Sequence, residues 1–164
     1  MPIERVVINA SPLITLFRAG LSALLPRLFA ELLVPDAVWN EVVSRTYDDP
    51  AARGLPQSPW ARRTAVPTHP PVQLWNLGAG ETAVLSLALT NAAYTAIVDD
   101  GAARRCARVM GIPTIGTAGI VVLARRKGLI ESTENTLRRL QSAGLWLSDD
   151  LVAQLAAQSD QDKR

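Results

Sequence analysis

Short apolar runs punctuate the chain, and each is followed within a few residues by a helical pattern. Val6-Val7-Ile8, Leu32-Leu33-Val34, Thr95-Ala96-Ile97-Val98 and Ile112 to Ile115 read as strands, the first most clearly. It is β-branched and uninterrupted, as in a strand covered on both faces of a parallel sheet. Ser11-Pro12 after the first run supplies an N-cap and a proline at the first helical position, with Leu13, Leu16 and Phe17 following at helical spacing. Gly20 ends that helix and a short apolar one spans Leu21 to Phe29. Another runs from Pro35-Asp36 to about Arg45, with Val38, Trp39, Val42 and Val43 on one side. Further helices run from Thr82 to about Asn91, from Gly101 to Met110 with Gly111 as stop, and from Thr117 to Lys127 with Gly128 as stop. Ser132 to Ala143 and a segment capped by Ser148-Asp149-Asp150 complete the set. Strand followed by helix, repeated, predicts an α/β fold: a parallel, doubly wound, three-layer sandwich.

Between Thr46 and Pro71 the pattern lapses. Prolines crowd from Pro50 to Pro71, around Tyr47, Trp60, Arg62, Arg63 and the sole histidine, His69. Missing backbone donors argue against a regular ladder here, although Arg62 to Val66 has the composition of a short strand. The reading is an irregular connection, of a length that is often functional or mobile. His69 sits between prolines without a ligand-spaced partner and is set aside as a catalyst or metal ligand.

Composition narrows the class. The 164 residues, 48% hydrophobic and 20% charged, with a mean hydropathy of +0.13, suit one domain with a substantial core and exclude a disordered chain. The single cysteine, Cys106, lies in a helical pattern and reads as packing; without a partner it favours a reducing, cytoplasmic setting. No targeting segment is visible, and Ile112 to Ala124, broken by Pro113, Gly116 and Gly119, is too short for a membrane span of about 20 residues. Net charge is +2, yet residues 101–139 hold eight bases against two acids, a net of +6. Arg125, Arg126 and Lys127 at a helix end fit the macrodipole; Arg104, Arg105 and Arg108 equally fit a phosphate backbone.

Candidate chemistry sits at strand ends. Asn9 and Ser11 follow the first strand, at the carboxyl edge where open α/β sheets place their sites. Asp99-Asp100 follow another strand and repel one another unless something positive intervenes; helix capping and cation binding both fit. Gly78-Ala79-Gly80-Glu81-Thr82-Ala83 matches a dinucleotide fingerprint in form. The strand before it is feeble, however, and Glu81 would repel a pyrophosphate among the amides meant to hold it. Glu81 as a ligand is the better reading. Glu41, a solvent-facing helical glutamate on its own, then joins Glu81 and Asp99-Asp100 as one acid per successive element. Such a set of hard oxygens is what Mg²⁺ or Mn²⁺ takes, and it needs neither histidine nor cysteine.

Taken in order, Val6-Val7-Ile8-Asn9-Ala10-Ser11-Pro12-Leu13-Ile14, Val34-Pro35-Asp36-Ala37-Val38-Trp39-Asn40-Glu41, Leu77-Gly78-Ala79-Gly80-Glu81, Ile97-Val98-Asp99-Asp100-Gly101 and Gly111-Ile112-Pro113-Thr114-Ile115-Gly116-Thr117 resemble the PIN domain. The closer resemblance is to the PIN-like branch of VapC-type toxins from bacterial and archaeal toxin–antitoxin pairs. The resemblance runs from residue 5 to about 130 and implies a single PIN-like domain over 1–164, core 4–130 with C-terminal helices 131–158. It also implies a central five-stranded parallel sheet. The implied activity is a metal-dependent ribonuclease using Mg²⁺ or Mn²⁺, its ligands carried by Asn9, Glu41, Glu81 and Asp99 or Asp100, with Asp100 the better match in spacing. Ser11 matches the hydroxyl after the first acid, and Thr117 is a further supporting hydroxyl or a helix cap. Arg104, Arg105 and Arg108 would hold RNA. The partners implied are RNA and a small cognate antitoxin clamped near the first helices; homodimerisation is a further expectation, and a membrane is not expected. Asn9 departs from the aspartate usual in PIN nucleases, although this branch tends to carry asparagine. Its amide oxygen can bind a hard cation without bringing charge, and Asp99 beside Asp100 would restore what is missing. The rival reading is a catalytically impaired PIN-fold module that binds RNA or a protein.

Overall fold

The computed structural model describes residues 2–45 and 48–161. Its centre is a five-stranded, wholly parallel sheet: β1 (Arg5–Ile8), β2 (Glu31–Pro35), β3 (Ala61–Thr64), β4 (Thr95–Ile97) and β5 (Thr114–Ile115), in the order β3-β2-β1-β4-β5. Val6, Val7 and Ile8 are wholly buried, as are Val34, Ala96 and Ile97. The apolar runs thus mark the strands that helices cover on both faces. Edge strand β3 carries Arg62 and Arg63 instead, paired to Glu31 and Asp36, a charged edge that resists pairing with other chains.

The helices are α1 (Ala10–Arg18), α2 (Leu24–Leu28), α3 (Asp36–Val43), α4 (Pro50–Gly54), α5 (Pro70–Gln73), α6 (Ala79–Thr90), α7 (Gly101–Met110), α8 (Thr117–Arg126), α9 (Thr133–Ser142) and α10 (Asp149–Gln161). Helix α6 lies across β1, β2 and β4 and packs on α3 and α7, while α2 meets β2 and α8, and α9 and α10 pack on α8. The result is the three-layer α/β/α sandwich expected. Gly111 and Gly128, at φ of 71° and 72°, close α7 and α8 in the left-handed conformation open to glycine. Cys106 is buried and free, and burial pushes its thiol pKa up. Among the described residues no helix is long and apolar enough to cross a membrane.

Two expectations change. The stretch 46–71 is not an irregular connection: beyond Thr46 and Tyr47, which lie outside the described residues, it folds as α4, a 3-10 turn at Leu55–Gln57, β3 and α5. Pro50, Pro56 and Pro70 stand in the opening positions of these short helices, where the missing N–H would be unpaired in any case. Helix α1 also starts earlier than Ser11-Pro12 suggests, with Asn9 as its N-cap residue. The Asn9 N–H bonds Ile97 O at 3.0 Å, so the chain leaves the sheet there and turns at once.

From β1 the chain steps outward through β2 to β3, then returns to lay β4 against the other side of β1. The strand order reverses between β1 and β4, and such a reversal opens a crevice at the carboxyl ends of the strands.

Candidate active site

Asn9 stands at the head of that crevice. It is 3% exposed, its side chain makes no capping bond to α1, and its Oδ1 is buried without a hydrogen-bond partner. A buried carbonyl left unpaired costs about 1–3 kcal/mol. An N-cap asparagine that leaves the free amides of its own helix unused keeps this oxygen free to accept from a water or to bind a cation.

Glycines make room for what surrounds it. A methyl group at Gly80, in the first turn of α6, would come within 3.0 Å of Asn9 Oδ1 and 3.2 Å of Glu41 Oε2. A side chain at position 80 would press on these two oxygens, one from the end of β1 and one from α3, by a few tenths of an ångström. A methyl at Gly78 would lie 2.6 Å from Glu81 Oε2, because Glu81 curls back over the start of α6. Around the Gly78-Ala79-Gly80 motif it is thus side-chain oxygens that stand close to the backbone.

Both aspartates after β4 have local partners. Asp99 Oδ1 accepts the Thr117 N–H at 2.8 Å and Oδ2 the Thr117 hydroxyl at 2.6 Å, which locks its carboxylate to the start of α8. Asp100 is the N-cap of α7, its Oδ2 accepting the Ala103 N–H at 2.9 Å. Asp100 caps its own helix, Asp99 takes the first N–H of α8 instead, and each carboxylate keeps further lone pairs for a ligand. Thr117, wholly buried, orients Asp99.

Asn9, Ser11, Glu81, Asp99 and Asp100 line one cleft of about 390 Å³. Glu41 does not line it; the residue is exposed, and its Oε2 lies on the same side of Gly80 as Asn9 Oδ1. Arg104, exposed on α7, brings Nη1 to Gly116 beside Asp99 Oδ1 and makes no hydrogen bond or ion pair among the described residues. Arg105 and Arg108 are exposed on the same helix. The remaining wall comes from Thr15 on α1 and from three residues in the loop after α9, Gly144, Leu145 and Trp146. None of the three loop residues stands out in sequence: Leu145-Trp146-Leu147 looks like core, and only the alternation between two leucines and a tryptophan hints that one side chain faces outward.

The donors fit a hard cation. Asn9 Oδ1 is an orphaned oxygen beside one carboxylate and in a cleft with three more, with no soft ligand nearby. Among the described residues no three carboxylate, imidazole or thiol groups converge closely enough to hold an ion by themselves. Mg²⁺ does not need that: it keeps several waters and takes one or two protein carboxylates.

A parallel α/β sandwich with a carboxylate-lined crevice at its strand-order reversal defines the class, that of open α/β folds with a ligand site at the carboxyl ends of the strands. The chain belongs to the PIN domain family: the family DUF3368, described as a PIN domain, matches residues 5–161. PIN domains are generally nucleases that bind RNA and use divalent metal ions. Neither a curated protein nor a solved structure matches the chain.

Proposed function

We propose that this PIN domain is a divalent-metal-dependent endoribonuclease, the toxin of a toxin–antitoxin pair. The observation that carries the reading is the buried, unpartnered Oδ1 of Asn9 in a cleft with Glu81, Asp99 and Asp100. Asn9, Glu41, Glu81, Asp99 and Asp100 would hold Mg²⁺ or Mn²⁺, which when bound supplies an activated water and stabilises charge on the leaving oxygen. Thr117 holds the Asp99 carboxylate in one orientation, as outer partners of metal ligands do. Ser11, exposed at the cleft, offers a hydroxyl to a phosphate oxygen. Arg104, unpaired beside Asp99, takes the phosphate next to the scissile one, with Arg105 and Arg108 further along the backbone.

Glu41→Ala, Glu81→Ala and Asp100→Ala should each lower the rate of RNA cleavage in Mg²⁺ or Mn²⁺ at least 100-fold, and a chelator should stop the wild type. A variant that cuts at the wild-type rate removes its residue from the site. Wild-type expression should arrest growth and Asp100→Ala should relieve the arrest; arrest by both would separate toxicity from this cleft. The expected partners are a small antitoxin, supplying a basic side chain to the cleft, and a second copy of the chain.

Asn9 supports a second reading, a PIN-fold module that binds RNA or protein without cutting, because an amide brings no negative charge to the ion. Asn9→Asp separates the two. If the cleft is impaired for want of charge, the variant should gain metal affinity and cleavage over an inert wild type.

A further inference from the structure

Trp146 is 88% exposed, the most exposed of the large apolar side chains among the described residues. Solvating an indole is unfavourable, and this one is not adrift on a loose loop. The Leu145 N–H bonds Leu140 O at 2.9 Å, the Gly144 N–H bonds Gln141 O at 3.1 Å, and Gln141 Nε2 donates to Leu147 O at 2.8 Å. Leu145 and Leu147 turn inward and pack against the core. The fold thus pins the loop on either side of position 146 and presents one flat aromatic ring to solvent.

The ring stands between two spaces. It lines the acidic cleft with Asn9 and Glu81, and also an adjoining groove of about 530 Å³ bounded by Arg104, Ile115, Leu151 and Leu155. Asp99 is common to both. Acidic centre, unpaired guanidinium and exposed indole therefore lie side by side. A nucleotide divides into parts of the same kind: a phosphate for the cation and a flat base for the ring, the combination by which proteins grip single strands. Bases of a duplex are already stacked and paired and cannot supply a free face.

We propose that Trp146 is a stacking platform that takes one unpaired base beside the scissile phosphate, with Arg104 holding the neighbouring phosphate. Leu145, Leu147, Leu151 and Leu155 also line the groove, but the charged groups beside the ring, Asp99 and Arg104, suit a nucleotide better than an apolar protein face. The proposal rests on the nuclease reading, and its test keeps the two apart.

A labelled single-stranded DNA oligonucleotide is titrated with the full chain in EDTA, where no turnover occurs, following anisotropy and tryptophan fluorescence. The wild type should bind with quenching; Trp146→Ala should weaken binding roughly 10- to 100-fold, and Trp146→Phe should recover most of it. In Mg²⁺ or Mn²⁺ the alanine variant should raise KM for single-stranded RNA more than it lowers kcat. Equal binding by wild type and Trp146→Ala overturns the platform and leaves cleavage to be judged on its own. Quenching and binding by a wild type that cuts no RNA in either metal uphold the platform and overturn the nuclease. Quenching that follows protein concentration without oligonucleotide, together with loss of a dimer in Trp146→Ala, makes this face a contact between copies of the chain and overturns the platform.

Discussion

A methyl group at position 80 would crowd Asn9 Oδ1 at 3.0 Å and Glu41 Oε2 at 3.2 Å, while alanine in a helix is favoured over glycine by about 1 kcal/mol. Stability and function should therefore part company in Gly80→Ala. The variant is expected to keep or raise its melting temperature while metal-dependent RNA cleavage falls at least tenfold, measured by calorimetry and by cleavage on the same preparation. A variant as active as the wild type would show that the approach of these two oxygens is incidental. At this scale the sequence is half legible. Asn9, Glu81 and Asp99-Asp100 announce themselves by following apolar strands or opening a helix. The orphaned state of Asn9 Oδ1 and the oxygens around the Gly78-Ala79-Gly80 motif depend on what lies across the crevice, which spacing along the chain does not encode.

Among the elements, α4 shows how a proline-rich stretch is made regular. Asp49 caps it, Oδ1 accepting from the Ala51 and Ala52 N–H groups at 2.8 and 3.3 Å. Its Oδ2 accepts from Arg45 Nε at 2.8 Å and Arg18 Nη2 at 3.5 Å, which ties α4 to α1 and to the chain just beyond α3. Burial alone would raise the Asp49 pKa, but the Arg45 hydrogen bond and the two amides outweigh it, and the net shift is downward. A lowered folded-state pKa means that this contribution to stability is complete above the ordinary carboxylate value of about 3.9. It is lost as pH falls through the lower folded value. Asp49→Ala should cost about 1–3 kcal/mol at pH 7, and its gap from the wild type should narrow below about pH 4. Urea titrations at both pH values measure it; a gap that widens in acid would contradict the assignment. The β-branched strands and glycine-stopped helices are plain in the sequence because local rules decide them. The prolines mislead because their effect depends on position, and at a helix start they are neutral.

For the whole molecule, a net charge of +2 conceals a division of labour: carboxylates gather at the strand ends while Arg104, Arg105 and Arg108 lie exposed on the neighbouring helix. Nucleic-acid binding should weaken steeply with salt, and Arg104→Ala should reduce the slope of log K against log salt by about 1, read from titrations at about 50 and 200 mM salt. An unchanged slope would take Arg104 off the path of the backbone. The parallel sheet and its strand-end crevice were foreseeable from alternating strand and helix, but the wall formed by Trp146 was not, since it depends on where α9 and α10, packed on α8, carry the loop between them. The central claim, that the fold buries the Asn9 carbonyl oxygen for a cation, is tested most directly by titrating Mn²⁺ into the wild type and Asn9→Ala. The account predicts that the alanine variant, relieved of an unpaired buried carbonyl, is at least as heat-stable as the wild type without metal yet binds Mn²⁺ at least tenfold more weakly. Equal Mn²⁺ affinity in the two proteins would contradict it.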